Sequence, residues 1–232
     1  MTRILAIETS SDACSVAISD GEVNYSFHEL MPRQHTEALI GVIDDLLNSA
    51  SLDIKDLDAV AVGCGPGSFT GIRLACSTAQ GISISQNIRG IVIPSLDILA
   101  SSINRIKSAE KIVSIVDANM GRLFLAEYNY SDQLLKNSEL TSITRNAFNP
   151  EKYDKETFFI GEGCRLILDS IKEVSSLISF ELPSALELLY IAKEKYLKKE
   201  TVTSEQILPL YLTCLLYTSD AADEEDSVDL GG

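Results

Sequence analysis

Residues 63–71 read GCGPGSFTG, and IRLACSTAQG follows at 72–81. The run before them, LDAVAV at 57–62, is apolar and rich in small and β-branched residues, and reads as a buried strand. Thr70 to Gln86 reads as a helix, so the stretch is a strand, a glycine-rich loop and a helix, the repeating unit of an α/β protein. Glycines permit positive φ and close approach of a ligand, and a helix start aims free N–H groups that favour an anion. On that reading Glu8, Gly65, Gly67, Ser68, Thr70 and Gly71 form a nucleotide or phosphate site. A Walker loop, however, needs Lys and then Ser or Thr after its last glycine, whereas Gly71 precedes Ile72 and Arg73. The other reading is a tight crossover whose glycines only set backbone angles, and spacing leaves both open.

Working outward, residues 3–9, 13–19 and 22–30 are short apolar or alternating runs separated by SSDA and DG, which predicts a three-stranded meander. From Gln34 to Ala50 the period changes to that of a helix, with Leu39, Val42, Ile43, Leu46 and Ala50 in register and Ile40 and Leu47 widening the stripe. This helix carries more apolar surface than one packed face requires. GIVIP at 90–94 reads as a strand, with Ser95 the expected N-cap of a helix through Ser102. A second block opens near Arg105. KIVSIVDANMGRLFLAEYNY predicts a hairpin, TFFIGEG a buried strand, and Pro183 to Lys199 a helix begun by proline and closed by Lys198 and Lys199. The expected division is a first lobe at 1–104 and a second at 105–212, with the last helix packing back on the first.

The chain of 232 residues has a formal charge of −15 and 45% apolar content. Its end, CLLYTSDAADEEDSVDLGG from Cys214, breaks the style of the rest, and CLLYTSDAADE permits a back-translation that resembles a transposase-end adapter. Residues 213–232 are therefore expected to be read-through or a disordered tail. The tail holds six acids and no Lys or Arg, so residues 1–212 carry 19 − (34 − 6) = −9. An acidic body argues against direct docking on a phosphate backbone. No apolar run approaches the ~20 residues of a membrane span, and Glu8 interrupts the N-terminal run too early for a secretory signal. A cytoplasmic protein is expected. Cys14, Cys64, Cys76, Cys164 and Cys214 lack CxxC spacing, which suits reduced, buried thiols.

Other chemistry-bearing residues are sparse. His35 has Leu39 at i+4, so it lacks a helical metal partner. Glu8 and Asp117, at strand ends, could hold a magnesium ion or merely cap turns. Cys64 borders the loop without a nearby His to activate it.

ILAIETSSDACSVAI, PRQHTEALI, GCGPGSFTGIRLACSTAQG, DANMGRLFLAEY and ILPLYL, in this order over residues 3–212, resemble the bacterial TsaB (YeaZ) family. The resemblance implies a two-lobed actin-like, Hsp70-like (ribonuclease H-like) ATPase fold. It also implies a role in making N6-threonylcarbamoyladenosine at position 37 of tRNAs that read codons starting with A. In that pathway the family is a non-catalytic partner of the paralogue TsaD, which transfers the threonylcarbamoyl group, and the ATPase TsaE joins the pair. TsaD carries a metal-binding His-x-x-x-His after a similar loop and strand, and those places fall on Ser95 and Leu99 here. The implied partner-binding surface is a helix bundle taking Arg33, just before the first helix, with His35, Leu39, Val42, Ile43 and Leu46 on it, and Leu74, Ala75, Thr78 and Ile82 from the next. ATP or ADP with Mg would belong to the complex, tRNA would be contacted through it, and a homodimer could form without the partner. Two alternatives stay open: a stand-alone ATPase or kinase of the actin-like fold, and a metallopeptidase-like hydrolase.

Overall fold

The computed structural model describes residues 2–102, 111–131, 134–137 and 140–211. The expected lobe boundary near 103–110 and the tail at 213–232 lie outside the described residues. The meander forms as expected: β1 (Ile4–Glu8), β2 (Ala13–Ser19) and β3 (Asn24–Leu30) pair antiparallel in sequence. β4 (Ala59–Gly63) then adds parallel to β1, and β5 (Arg89–Ile93) parallel to β4, giving the order β3-β2-β1-β4-β5.

The second sheet repeats this plan. β6 (Lys111–Asp117) and β7 (Arg122–Ser131) form the expected hairpin, with β10 (Thr157–Ile160) parallel to β6 and β11 (Ile178–Ser179) parallel to β10. The place that β3 takes in the first sheet is divided between β8 (Leu134–Asn137) and β9 (Thr141–Thr144), which pair with opposite ends of β7. Read outward from the hairpin, the order is β8-β7-β6-β10-β11. Two copies of one mixed sheet topology make this an α/β protein of two-lobed actin-like, ribonuclease H-like fold.

Both faces of the first sheet are covered, because alternate residues of a strand point to opposite sides. Leu5, Ile7, Val16, Val60 and Val62 pack against α1 (His35–Ser49) and α2 (Phe69–Gln86). Ile4, Ala6, Ala17 and Ala61 meet α5 (Ala185–Leu197) on the other side. In the second sheet one face is closed by the short α4 (Leu168–Lys172) and the turns before it, through Cys164, Ile167 and Ile171. α3 (Ser95–Ser101) belongs to both cores: Ile98 packs with the first sheet and α5, while Leu96, Leu99 and Ala100 pack on Ile112, Phe124 and Tyr128 of the second. The Tyr128 hydroxyl donates to Asp97 Oδ1 at 2.7 Å across the same junction.

Two helix starts differ from expectation. Ser95 is the first residue of α3 and Pro94 its N-cap, because the Ser95 hydroxyl is committed elsewhere. α5 begins after Ser184, whose side chain accepts from the Glu187 N–H, so a serine cap rather than Pro183 sets its start. A last extended segment runs over the first sheet's edge and α2. Val202 bridges Gly90 of β5, Ile207 enters the core, and the Leu210 N–H donates to the Cys64 carbonyl at 2.9 Å.

Candidate functional site

The glycine loop is built against the β1–β2 turn. The Ser68 N–H donates to the Ser10 carbonyl at 2.6 Å, and Thr9 Oγ1 donates to the Gly71 carbonyl at 2.8 Å. A Cβ on Gly71 would strike the Thr9 carbonyl and one on Gly67 the Ser10 carbonyl. Gly67 also holds φ +157 and Gly65 φ +97, the latter in the region that side chains avoid. The missing side chains therefore admit the chain's own backbone. Ser68 caps α2, its hydroxyl accepting from the Gly71 N–H at 3.3 Å, and Thr70 stands exposed in the first turn.

Glu8 lies beneath this loop and is fully buried. Its Oε1 accepts from the Ser10 N–H at 2.6 Å and its Oε2 from the Ser95 hydroxyl at 2.9 Å. The Ser95 oxygen in turn accepts from the Gly65 N–H at 3.2 Å. Burial pushes the Glu8 carboxyl above its ordinary range, opposed by the Ser10 and Ser95 hydrogen bonds and by the charge of His35. A Cβ on Gly63 would strike Glu8 Oε2, so the carboxylate is packed in place. Asp117 is separate from it, its Oδ1 accepting from the Asn119 N–H at 2.8 Å in the β6–β7 turn. Asp117 and Asp12 instead face Glu162, whose carboxyl is raised by burial and then by those two charges, with Arg165 opposing. Among the described residues no group of three His, Cys, Asp or Glu is arranged to hold a metal. Cys64 and Cys76 are buried thiols pushed up to about 12, chiefly by desolvation, which keeps them protonated.

The residues expected on the partner surface differ in exposure. Leu39, Ile43, Ala75 and Ile82 are buried in the chain's own core, because the apolar stripes of α1 and α2 cover the first sheet. His35 is also buried, with Nδ1 2.8 Å from the Met31 carbonyl and Nε2 2.8 Å from the Ser11 carbonyl, and ties the helix start to the β1–β2 turn. Val42, Leu46, Leu74 and Thr78 are half-buried at the margins, and Arg33 is exposed.

What α1 and α2 present outward is a different set. Ile40 is 56% exposed, Ile84 63% and Phe69 57%. Gly41 and Gly81 sit in the middle of the two helices, and a Cβ at either would meet nothing within 4 Å. A mid-helix glycine costs about 0.5–1 kcal/mol relative to alanine. Among the described residues no packing contact requires either one. Arg73 and Ser77 lie on the same outward face of α2. The visible sequence signal was the pair of glycines interrupting two helical patterns, where glycine is a poor helix former.

A cavity of about 340 Å³ opens elsewhere, between β2, β3, α3 and the first turn of α5, with His28, Glu181 and Glu187 on its wall. One of the hydroxyls lining it, Ser15, is engaged by the Ala185 N–H at 2.8 Å, the Phe27 carbonyl at 3.2 Å and His28 Nδ1 at 3.0 Å. The serine therefore serves the fold. Among the described residues no helix is long and apolar enough to cross a membrane.

Residues 27–225 match the family model described as TsaD, tRNA N6-adenosine threonylcarbamoyltransferase. The tRNA threonylcarbamoyladenosine biosynthesis protein TsaB of Escherichia coli K12 is 34% identical over 219 residues, covering 90% of this chain and 94% of that protein. The Haemophilus influenzae protein of the same name is 29% identical over 218 residues, covering 90% and 92%. Among solved structures, YeaZ from Pseudomonas aeruginosa superposes with a TM-score of 0.78 at 30% identity, covering 91% of this chain and all of that one. A fold with the same sheet plan in both halves, a glycine loop closed on its own backbone, and relatives matched over nearly their whole length lead to one conclusion: the chain belongs to the TsaB (YeaZ) family.

Proposed function

We propose that this chain is a binding subunit of the machinery that makes threonylcarbamoyladenosine in tRNA, and that it acts by pairing with the threonylcarbamoyltransferase TsaD rather than by chemistry of its own. The observation that carries the reading is the outward face of α1 and α2. Two helix-interior glycines stand over empty space there, flanked by exposed Ile40, Ile84 and Phe69. Glycine in that setting lets a second helix approach closely, and the apolar flanks then lose water. The glycine loop supports the same reading, since its close approaches are taken up by Thr9 and Ser10. TsaE would join the assembled pair, and tRNA would be gripped mainly by the other subunits, in keeping with the acidic body of this one.

The test is light scattering after gel filtration of the full chain mixed with the TsaD paralogue from the same source. A one-to-one complex that Ile84→Glu abolishes, while the variant alone keeps its helical spectrum and elution volume, supports the pairing face. Separate elution under all nucleotide conditions, together with steady ATP turnover by this chain alone, would move the reading to a stand-alone ATPase.

A further inference from the structure

At the N-terminal end of the outward face of α2, Arg73 is held in an unusual way. Its guanidinium carbon lies 3.5 Å from the centroid of the Phe69 ring, and its Nε donates to the Tyr211 hydroxyl at 2.6 Å. The two aromatic rings are themselves 5.9 Å apart and tilted by 41°. Tyr211 follows directly on the stretch pinned by Ile207 in the core and by the Leu210 hydrogen bond to Cys64. Arginine thus rests on one ring, is bonded to the hydroxyl of the other, and is nevertheless exposed. Among the described residues no carboxylate pairs with it.

This inference rests on the pairing proposed above. We infer that Arg73 is a specificity-determining residue of the partner face, presenting its free edge to a carboxylate on the TsaD-type partner. Stacking on Phe69 and the bond to Tyr211 settle the side chain before binding, so the usual loss of rotamer freedom is already met. The remaining N–H groups form a planar fork that suits a carboxylate in two-point contact.

The charge of the surroundings selects that ligand. Arg73 is the only Lys or Arg in α1 and α2, whereas α1 carries Glu37, Asp44 and Asp45 on exposed positions. Three acids against one cation on these two helices disfavour a polyanion such as tRNA, with its many phosphates, more than a single carboxylate. A single acid on an otherwise apolar helix meets the one cation and leaves the rest of the contact to Ile40, Ile84 and the glycines. Phe69 and Tyr211 act as positioning residues, since they fix the guanidinium without touching the partner's carboxylate.

The experiment measures the dissociation constant of the full chain with its TsaD paralogue at low and high salt. Arg73→Gln should weaken pairing roughly tenfold and flatten its salt dependence. Arg73→Glu should weaken it further and regain affinity with one Asp→Lys or Glu→Lys exchange on the partner. Tyr211→Phe, which keeps the ring and loses the hydroxyl, should give a smaller loss of the same kind. Gly81→Leu serves as the control for the face itself. If Gly81→Leu blocks pairing and Arg73→Gln binds like the wild type, the role of Arg73 is overturned and the pairing face stands. Absence of any complex with the wild-type chain overturns both. If Arg73 variants pair normally but the assembled complex loses tRNA, the arginine serves a phosphate and the inference is wrong.

Discussion

The carboxylate of Glu8 and the hydroxyl of Ser95 meet at 2.9 Å, joining the end of β1 to the first turn of α3 across 87 residues of sequence. Ser95 occupies the place at which the TsaD resemblance puts a metal-binding histidine, and here its oxygen also receives the Gly65 N–H. A position that could serve chemistry is used to fasten the glycine loop, and Glu8 is part of the fastening.

Glu8→Gln should therefore leave pairing intact and change the pH dependence of stability. Burial raises the Glu8 carboxyl in the folded chain. A raised carboxyl holds its proton better folded than unfolded, so its contribution is full below the unfolded value of about 4.3 and is lost as pH climbs through the folded value. Glutamine has no such proton. The melting temperature of the variant relative to wild type should rise with pH across that window. A difference that stays constant with pH would show that the carboxylate is not strained by its burial.

Gly71→Ala should cost about 3 kcal/mol or more, because the new methyl meets the Thr9 backbone rather than a movable side chain. Chemical denaturation measures it, and the loss should be the same with and without ATP and Mg. A variant of normal stability with altered nucleotide affinity would return the loop to the role of a ligand cradle.

Leu39 and Ile84 should separate core from surface. Leu39→Glu puts a charge where there is no exposure, and soluble protein should be lost. Ile84→Glu should leave melting within about 0.5 kcal/mol of wild type while abolishing pairing. Gly81→Ala should stabilise the free chain by about 0.5–1 kcal/mol and weaken the complex. Opposite signs in those two assays are the signature of a glycine kept for a partner.

Ser114→Ala should be neutral or stabilising by up to about 1 kcal/mol. Its hydroxyl is buried in β6 without a hydrogen-bond partner among the described residues, on the face shared with Ile112 and Val116. Thermal denaturation that shows a loss of more than about 1 kcal/mol would mean that this oxygen has a partner.

Much of the fold could be read from residue pattern alone. The meander, the strand before the glycine loop, α1, α2 and the β6–β7 hairpin each carry ten or so residues of consistent period or a distinct turn. β8, β9 and β11 escaped because they are two to four residues long and are held by backbone pairing, which leaves little trace in side-chain pattern. The site was harder. Helical spacing of Leu39, Ile43, Ala75 and Ile82 identifies an apolar stripe but does not say what covers it, and the nearest apolar surface was the chain's own sheet. The glycine loop was ambiguous for a related reason: glycine permits close approach without naming what approaches, and the backbone of Thr9 and Ser10 lies far from it in sequence.

The two bare glycines also bear on the lifetime of the protein in a cell. Each weakens the free helix that holds it, and a partner that binds only the folded form adds back stability in proportion to the logarithm of its concentration over its dissociation constant. Proteases cut locally opened chains. An unassembled copy should then be degraded faster than an assembled one, and the amount of this subunit would follow the supply of its partner without any dedicated regulator.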